Sequence, residues 1–120
     1  MTEKPADESY DVSVFQILAD DLPSDGPEKT NGKIKRTLRR RMLGEYDQHR
    51  VDALRRLRDE LKAEIQKFDK SGYFVSKDRP IAEHFDFERM VADFGAKYPS
   101  VESPDIRGVI SYALYYYYFR

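Results

Sequence analysis

Apolar positions along this chain recur mainly at intervals of three and four, the spacing that lets a helix bury one face. The first cluster is mixed. Tyr10, Val12 and Val14 alternate as in a strand, whereas Val14, Phe15, Leu18 and Leu22 keep helical spacing, and a short helix is the expectation. Turn formers crowd residues 22–27, and a linker is expected to run on to about Gly32. Residues 1–9 carry no periodic apolar pattern and are read as a disordered, flexible leader. The expected organisation is therefore leader (1–9), short element and linker (10–31), and helical domain (32–120).

From Lys33 to Phe68 there is no proline and one glycine, in a background of Leu, Arg, Glu, Lys and Ala that favours helix. At about 100° per residue, Ile34, Leu38 and Met42 form one stripe. Leu43, Leu54, Leu57, Leu61, Ile65 and Phe68 form another on the opposite side. The stripe changes face near Gly44, which implies either two helices broken there or one long helix gripped from opposite sides. Tyr73, Phe74 and Val75 read as a short extended segment before Pro80.

A further helix is predicted from about Ile81 to Lys97, with Phe87, Met90, Val91, Phe94 and Tyr98 on one face. Ser103-Pro104-Asp105 has the form of a helix start, with Ser as N-cap and Pro in the first turn. The last helix should run from Pro104 to about Phe119 and bury Ile106, Val109, Ile110, Ala113, Leu114 and Tyr117. Residues 112–119 also have the propensity of a strand. The fold class expected from these elements is all-α: a compact array of three to four helices with one long central helix.

Composition narrows function mainly by exclusion. Without cysteine there is no disulfide, thiolate metal site or cysteine nucleophile. The first residues lack the apolar core of a signal peptide, and no apolar run is long enough to span a bilayer, so a cytoplasmic protein with no membrane partner is expected. The net charge of −1 conceals strong segregation. Residues 1–32 carry −6, residues 33–58 carry +7 and residues 59–120 carry −2.

The basic block supplies the leading candidate site. On a helix, Lys33, Lys35, Arg36, Arg39 and Arg40 share a broad face opposite Ile34 and Leu38, and Arg41 extends the run. Such a helix docks on the protein with one side and meets nucleic-acid phosphates with the other. The alternative is a solvated helix face, or a surface that pairs with the acidic residues upstream. Tyr112, Tyr115, Tyr116, Tyr118 and Phe119 form the second candidate: stiff aromatic contacts for a protein partner or a second copy of this chain. They would equally serve to fill a core that lacks tryptophan, or to stack on bases.

Catalytic and cofactor chemistry find no support in the pattern. His84 and Glu88 are four apart, but two ligands do not make a metal site. Asp69-Lys70-Ser71-Gly72 places its glycine wrongly for a calcium loop. No phosphate loop, nucleophile elbow or zinc-protease motif occurs. The expectation is a non-enzymatic, cofactor-free protein that binds nucleic acid or, alternatively, a protein partner.

Overall fold

The computed structural model describes residues 9–20 and 26–119. Residues 1–8 of the expected leader, and 22–25 of the expected turn with residue 21 before it, lie outside them. The described residues are all-helical, with five α-helices instead of three to four: α1 Tyr10–Ala19, α2 Gly26–Arg41, α3 Gln48–Ile65, α4 Phe87–Lys97 and α5 Ser103–Leu114. None of them is long and apolar enough to cross a membrane.

The spatial centre is the ten-residue α1, not a long helix. Ser9 caps it, its hydroxyl accepting from the Val12 amide at 3.1 Å. Tyr10, Val12, Val14, Phe15, Leu18 and Ala19 are all buried, because α1 is packed against α2, α3 and α5 at once. A helix enclosed on several sides needs apolar residues around most of its circumference. That explains why residues 10–18 fit neither a clean alternation nor a clean stripe.

The 33–68 region divides into two helices. α2 starts six residues before the expected end of the linker, with Pro27 in its first turn, where the missing N–H costs nothing. Gly32 in the helix interior costs about 1 kcal/mol, and burial of Thr30, Ile34 and Leu38 offsets it. The break comes at Met42, which adopts a left-handed backbone (φ 54°). Its amide donates to Arg39 O, and the Leu43 amide donates to Leu38 O at 3.0 Å, closing the helix in the way a C-terminal glycine usually does. Met42 therefore leaves the Ile34–Leu38 stripe and is 85% exposed. Gly44 (φ 130°) then carries the chain past the Tyr10 ring, where a Cβ would sit 3.6 Å from it.

Asp47 caps α3 by accepting from the Arg50 amide, and Val51, Leu54, Leu57, Leu61 and Ile65 form its buried stripe. Phe68 does not continue that stripe. It lies beyond the helix end with φ 54° and is 50% exposed. Between α3 and α4 the chain doubles back: Val75 N donates to His84 O at 2.7 Å and Asp86 N to Tyr73 O at 2.8 Å, pairing Phe74 with Phe85. This pairing takes Phe85 and Asp86 out of any helix, so α4 begins at Phe87, capped by Asp86, and Ile81–Glu83 forms only a single 3-10 turn. α4 and α5 pack together. The N-cap position of α5 is Glu102, one residue before the expected Ser103, and its side chain makes no capping hydrogen bond. The chain remains helical to Phe119, but Tyr115–Phe119 is wound as a wider π-turn.

Candidate nucleic-acid interface

The side of α2 that carries Thr30, Ile34 and Leu38 faces the protein, and its principal neighbour is α1. Lys33, Lys35, Arg36, Arg39 and Arg40 occupy the opposite arc, about 160° wide and about 10 Å long by helical geometry. Arg41 lies at the end of the helix, and all six side chains are exposed. Among the described residues no ion pair holds any of them. Arg39, Arg40 and Arg41 form the last turn, where the helix dipole favours positive charge and steadies the cluster.

The structure separates the basic block into two classes that composition could not distinguish. On α3, Arg50 Nε donates to the buried Asp11 carboxylate at 2.7 Å, and its guanidinium lies 3.8 Å over the Tyr10 ring. Arg55 donates to Asn31 at 3.0 Å and Arg58 to the Leu18 carbonyl at 2.7 Å. These arginines tie α3 to α1 and α2. Lys33, Arg36, Arg39, Arg40 and Arg41 of α2, and Arg56 of α3, face solvent, and Lys35 lies over the Tyr46 ring.

A concave site adjoins the basic face. Lys35, Leu38 and Arg39 of α2, with Gly44, Glu45 and Tyr46 of the connection to α3, line a cleft of about 470 Å³. Tyr46 is half-buried, its hydroxyl donates to Gln48 Oε1 at 2.7 Å, and Lys35 Nζ lies 4.9 Å from its ring centre. Burial pushes the Tyr46 hydroxyl above its ordinary value. Sequence reasoning missed this residue. The available signal was a lone aromatic two positions after Gly44, directly behind a basic helix.

The aromatic tail is divided in the same way. Tyr112 packs edge-on against Phe15 of α1, with ring centres 6.4 Å apart. Tyr118 is turned into the fold: its ring meets Phe85 edge-on at 5.0 Å and its hydroxyl bonds His84 Nδ1 at 2.7 Å. Tyr116 is half-buried against Tyr112. Tyr115 (53%) and Phe119 (37%) remain well exposed. Tyr117, expected to be buried, is half-buried against the core, and burial pushes its hydroxyl up to about 12.

Several titratable groups elsewhere are engaged by neighbours. His84 precedes α4 and uses both ring nitrogens, the second on Arg79 O at 2.8 Å, whereas Glu88 forms a bidentate pair with Arg107 at 2.8 Å. Among the described residues no group of three acidic or imidazole side chains could hold a metal ion. A second cleft, of about 310 Å³, is lined by Glu60, Glu64, Tyr73, Asp93 and Lys97 among others. There Glu60 accepts from Lys97 and Tyr98, Glu64 from Ser71, and Asp93 from Tyr73 at 2.8 Å. Burial opposes the charges of Glu60 and Glu64, but these hydrogen bonds outweigh it and hold both below the usual carboxylate range. Burial, reinforced by the neighbouring carboxylate, pushes Tyr73 and Tyr98 each up to about 12. Groups so paired join α3 to α4 and the loop between them.

Comparison with known proteins finds no matching family model, no matching curated protein and no matching solved structure.

Proposed function

We propose that this chain is a non-enzymatic nucleic-acid-binding protein that meets phosphates through Lys33, Lys35, Arg36, Arg39, Arg40 and Arg41. One observation carries the reading: five exposed cations, free of ion pairs among the described residues, lie on the arc of α2 opposite its docked edge, and the exposed Arg41 ends the helix beside them. A solvated face made for solubility alone would ordinarily intersperse the two signs. Here Asp52 and Asp59 of α3 pair with α3's own Arg55 and Arg58, and Glu60 and Glu64 with Lys97 and Lys67. Contacts of this kind go to the backbone of the nucleic acid, so sequence preference is weak and salt dependence steep.

The test is fluorescence anisotropy with labelled duplex DNA and single-stranded RNA at roughly 50 and 200 mM salt. Binding should weaken strongly between the two conditions and vanish when Arg36, Arg39, Arg40 and Arg41 are changed to Glu. No binding by the wild-type chain at the lower salt sinks the proposal.

A second reading, a protein-interaction surface at the C-terminal end, is favoured by the exposure of Tyr115, Phe119 and the left-handed Phe68. Concentration-dependent light scattering that disappears in a Tyr115→Ser, Phe119→Ser variant would support it. A monomer at all concentrations that captures no partner protein would count against it.

A further inference from the structure

We infer that the cleft at the end of α2 is a base-stacking site, so that the nucleic acid bound along the basic face is single-stranded, with one unpaired base lying on the Tyr46 ring. The inference rests on the proposed phosphate-binding role of α2 and adds the class of nucleic acid. A nucleotide offers two things to recognise, a flat π-surface and an anion, and sites for single strands combine aromatic platforms with basic grooves. The cleft holds both elements: the Tyr46 ring, and the ammonium of Lys35 and guanidinium of Arg39 on its wall. Its volume, about 470 Å³, falls within the range of about 300–1,000 Å³ usual for small-ligand sites.

The placement also excludes the duplex from this position. Bases in a double helix are stacked on one another and show only their edges in the grooves, so a ring recessed beside α2 cannot reach a base face without unpairing it. The Lys35 ammonium now lies over the Tyr46 ring, and its flexible stem lets it move to a phosphate when a base takes its place. Gly44, at φ 130°, shapes the floor of the cleft by bringing the connection against Tyr10. The Tyr46 hydroxyl bond to Gln48 at the start of α3 holds the ring in position.

Anisotropy titrations at low salt with a labelled single-stranded oligonucleotide, and with the duplex of the same sequence, separate the possibilities. Tyr46→Ala should weaken single-strand binding roughly 5- to 150-fold, the span of one base–aromatic stack, and leave the duplex affinity unchanged. Tyr46→Phe keeps the stacking ring and loses only the bond to Gln48, so it should retain most of the single-strand affinity. Because the chain has no tryptophan, Tyr46→Trp supplies a single indole whose fluorescence should be quenched by the single strand and not by the duplex. This readout does not depend on the alanine variant folding. An unchanged indole signal at saturation, or an equal loss of affinity for both ligands in Tyr46→Ala, overturns the stacking site. If binding is abolished on reversing Arg36, Arg39 and Arg40 but is insensitive to Tyr46, the basic face stands and the stacking site falls. If the wild type binds neither nucleic acid, both fall.

Discussion

Replacing Gly108 and Gly95 by alanine, one at a time, tests the packing of α5 because the same chemical change should have different consequences at the two sites. Both glycines are inside helices, where alanine is favoured by about 1 kcal/mol. At Gly95 of α4 an added Cβ would meet only Ile106 Cγ2 at 3.9 Å, an ordinary contact. Gly95→Ala should therefore stabilise the fold by about 0.5–1 kcal/mol. At Gly108 of α5 the Cβ would lie 3.0 Å from Val12 Cγ2. Val12 is buried in α1, and its branched side chain has one strongly preferred rotamer in a helix, so it cannot swing away cheaply. Forcing a methyl into a space already filled costs about 1–3 kcal/mol. Set against the propensity gain of about 1 kcal/mol, Gly108→Ala should be neutral to about 2 kcal/mol destabilising. Urea unfolding followed by far-UV circular dichroism, with unchanged slopes, reads both values. Adding Val12→Ala should remove the penalty of Gly108→Ala, giving a coupling between the two sites. If Gly108→Ala stabilises as much as Gly95→Ala, the close approach of α1 and α5 is wrong.

Met42→Gly should stabilise by about 1 kcal/mol in the same assay, because glycine adopts the left-handed backbone without the Cβ penalty and the exposed Met42 side chain gives up little packing. A fall in stability would mean that the C-terminal closure of α2 differs from the one described. Removing single cations from α2, such as Arg36→Ala or Arg39→Ala, should lower the salt slope of nucleic-acid binding by about 0.7–0.9 for each phosphate no longer neutralised; an unchanged slope would take that residue out of the interface. Tyr73, Tyr98 and Tyr117, at about 12 in the folded chain, lie above the ordinary tyrosine value of about 10. The unfolded chain thus releases their protons first as pH rises, and the stability they supply is present below about pH 10 and lost between about 10 and 12. Alkaline titration of tyrosinate absorbance should show these groups lagging behind the rest and then appearing together with unfolding. A single smooth wave near the ordinary value, with the fold intact, would contradict the shielding of these three hydroxyls.

Much of the helical pattern was legible in local sequence, because helix formation and capping act over one or two turns. The α4 face of Met90 and Phe94, the α5 face from Ile106 to Leu114 and the basic run along α2 all follow from spacing alone. Local pattern also located a change of face near Gly44, and the chain does break there. What it could not supply was the partner of each face. Met42 and Phe68 match the spacing of buried stripes, yet both are exposed, since the chain must turn before either reaches a neighbouring helix. The start of α2 was hidden because Gly26, Pro27 and Gly32 oppose helix locally, while the burial of Thr30, Ile34 and Leu38 that outweighs them is not visible without the packed neighbour. The same reason divides the candidate sites. Arg50, Arg55 and Arg58 resemble the arginines of α2 in composition, but the packing of α3 beside α1 and α2 engages them and leaves the α2 cations to solvent. Tyr118 likewise turns inward only because His84 and Phe85 are brought beneath it by a loop more than thirty residues away in sequence. Sequence by itself determined the all-helical class, the apolar faces of the clearest helices and where positive charge is concentrated, for these are properties of neighbouring residues. Only the tertiary structure decided which charges and rings are left exposed, because exposure depends on distant segments whose approach is driven by the burial of their shared apolar surface.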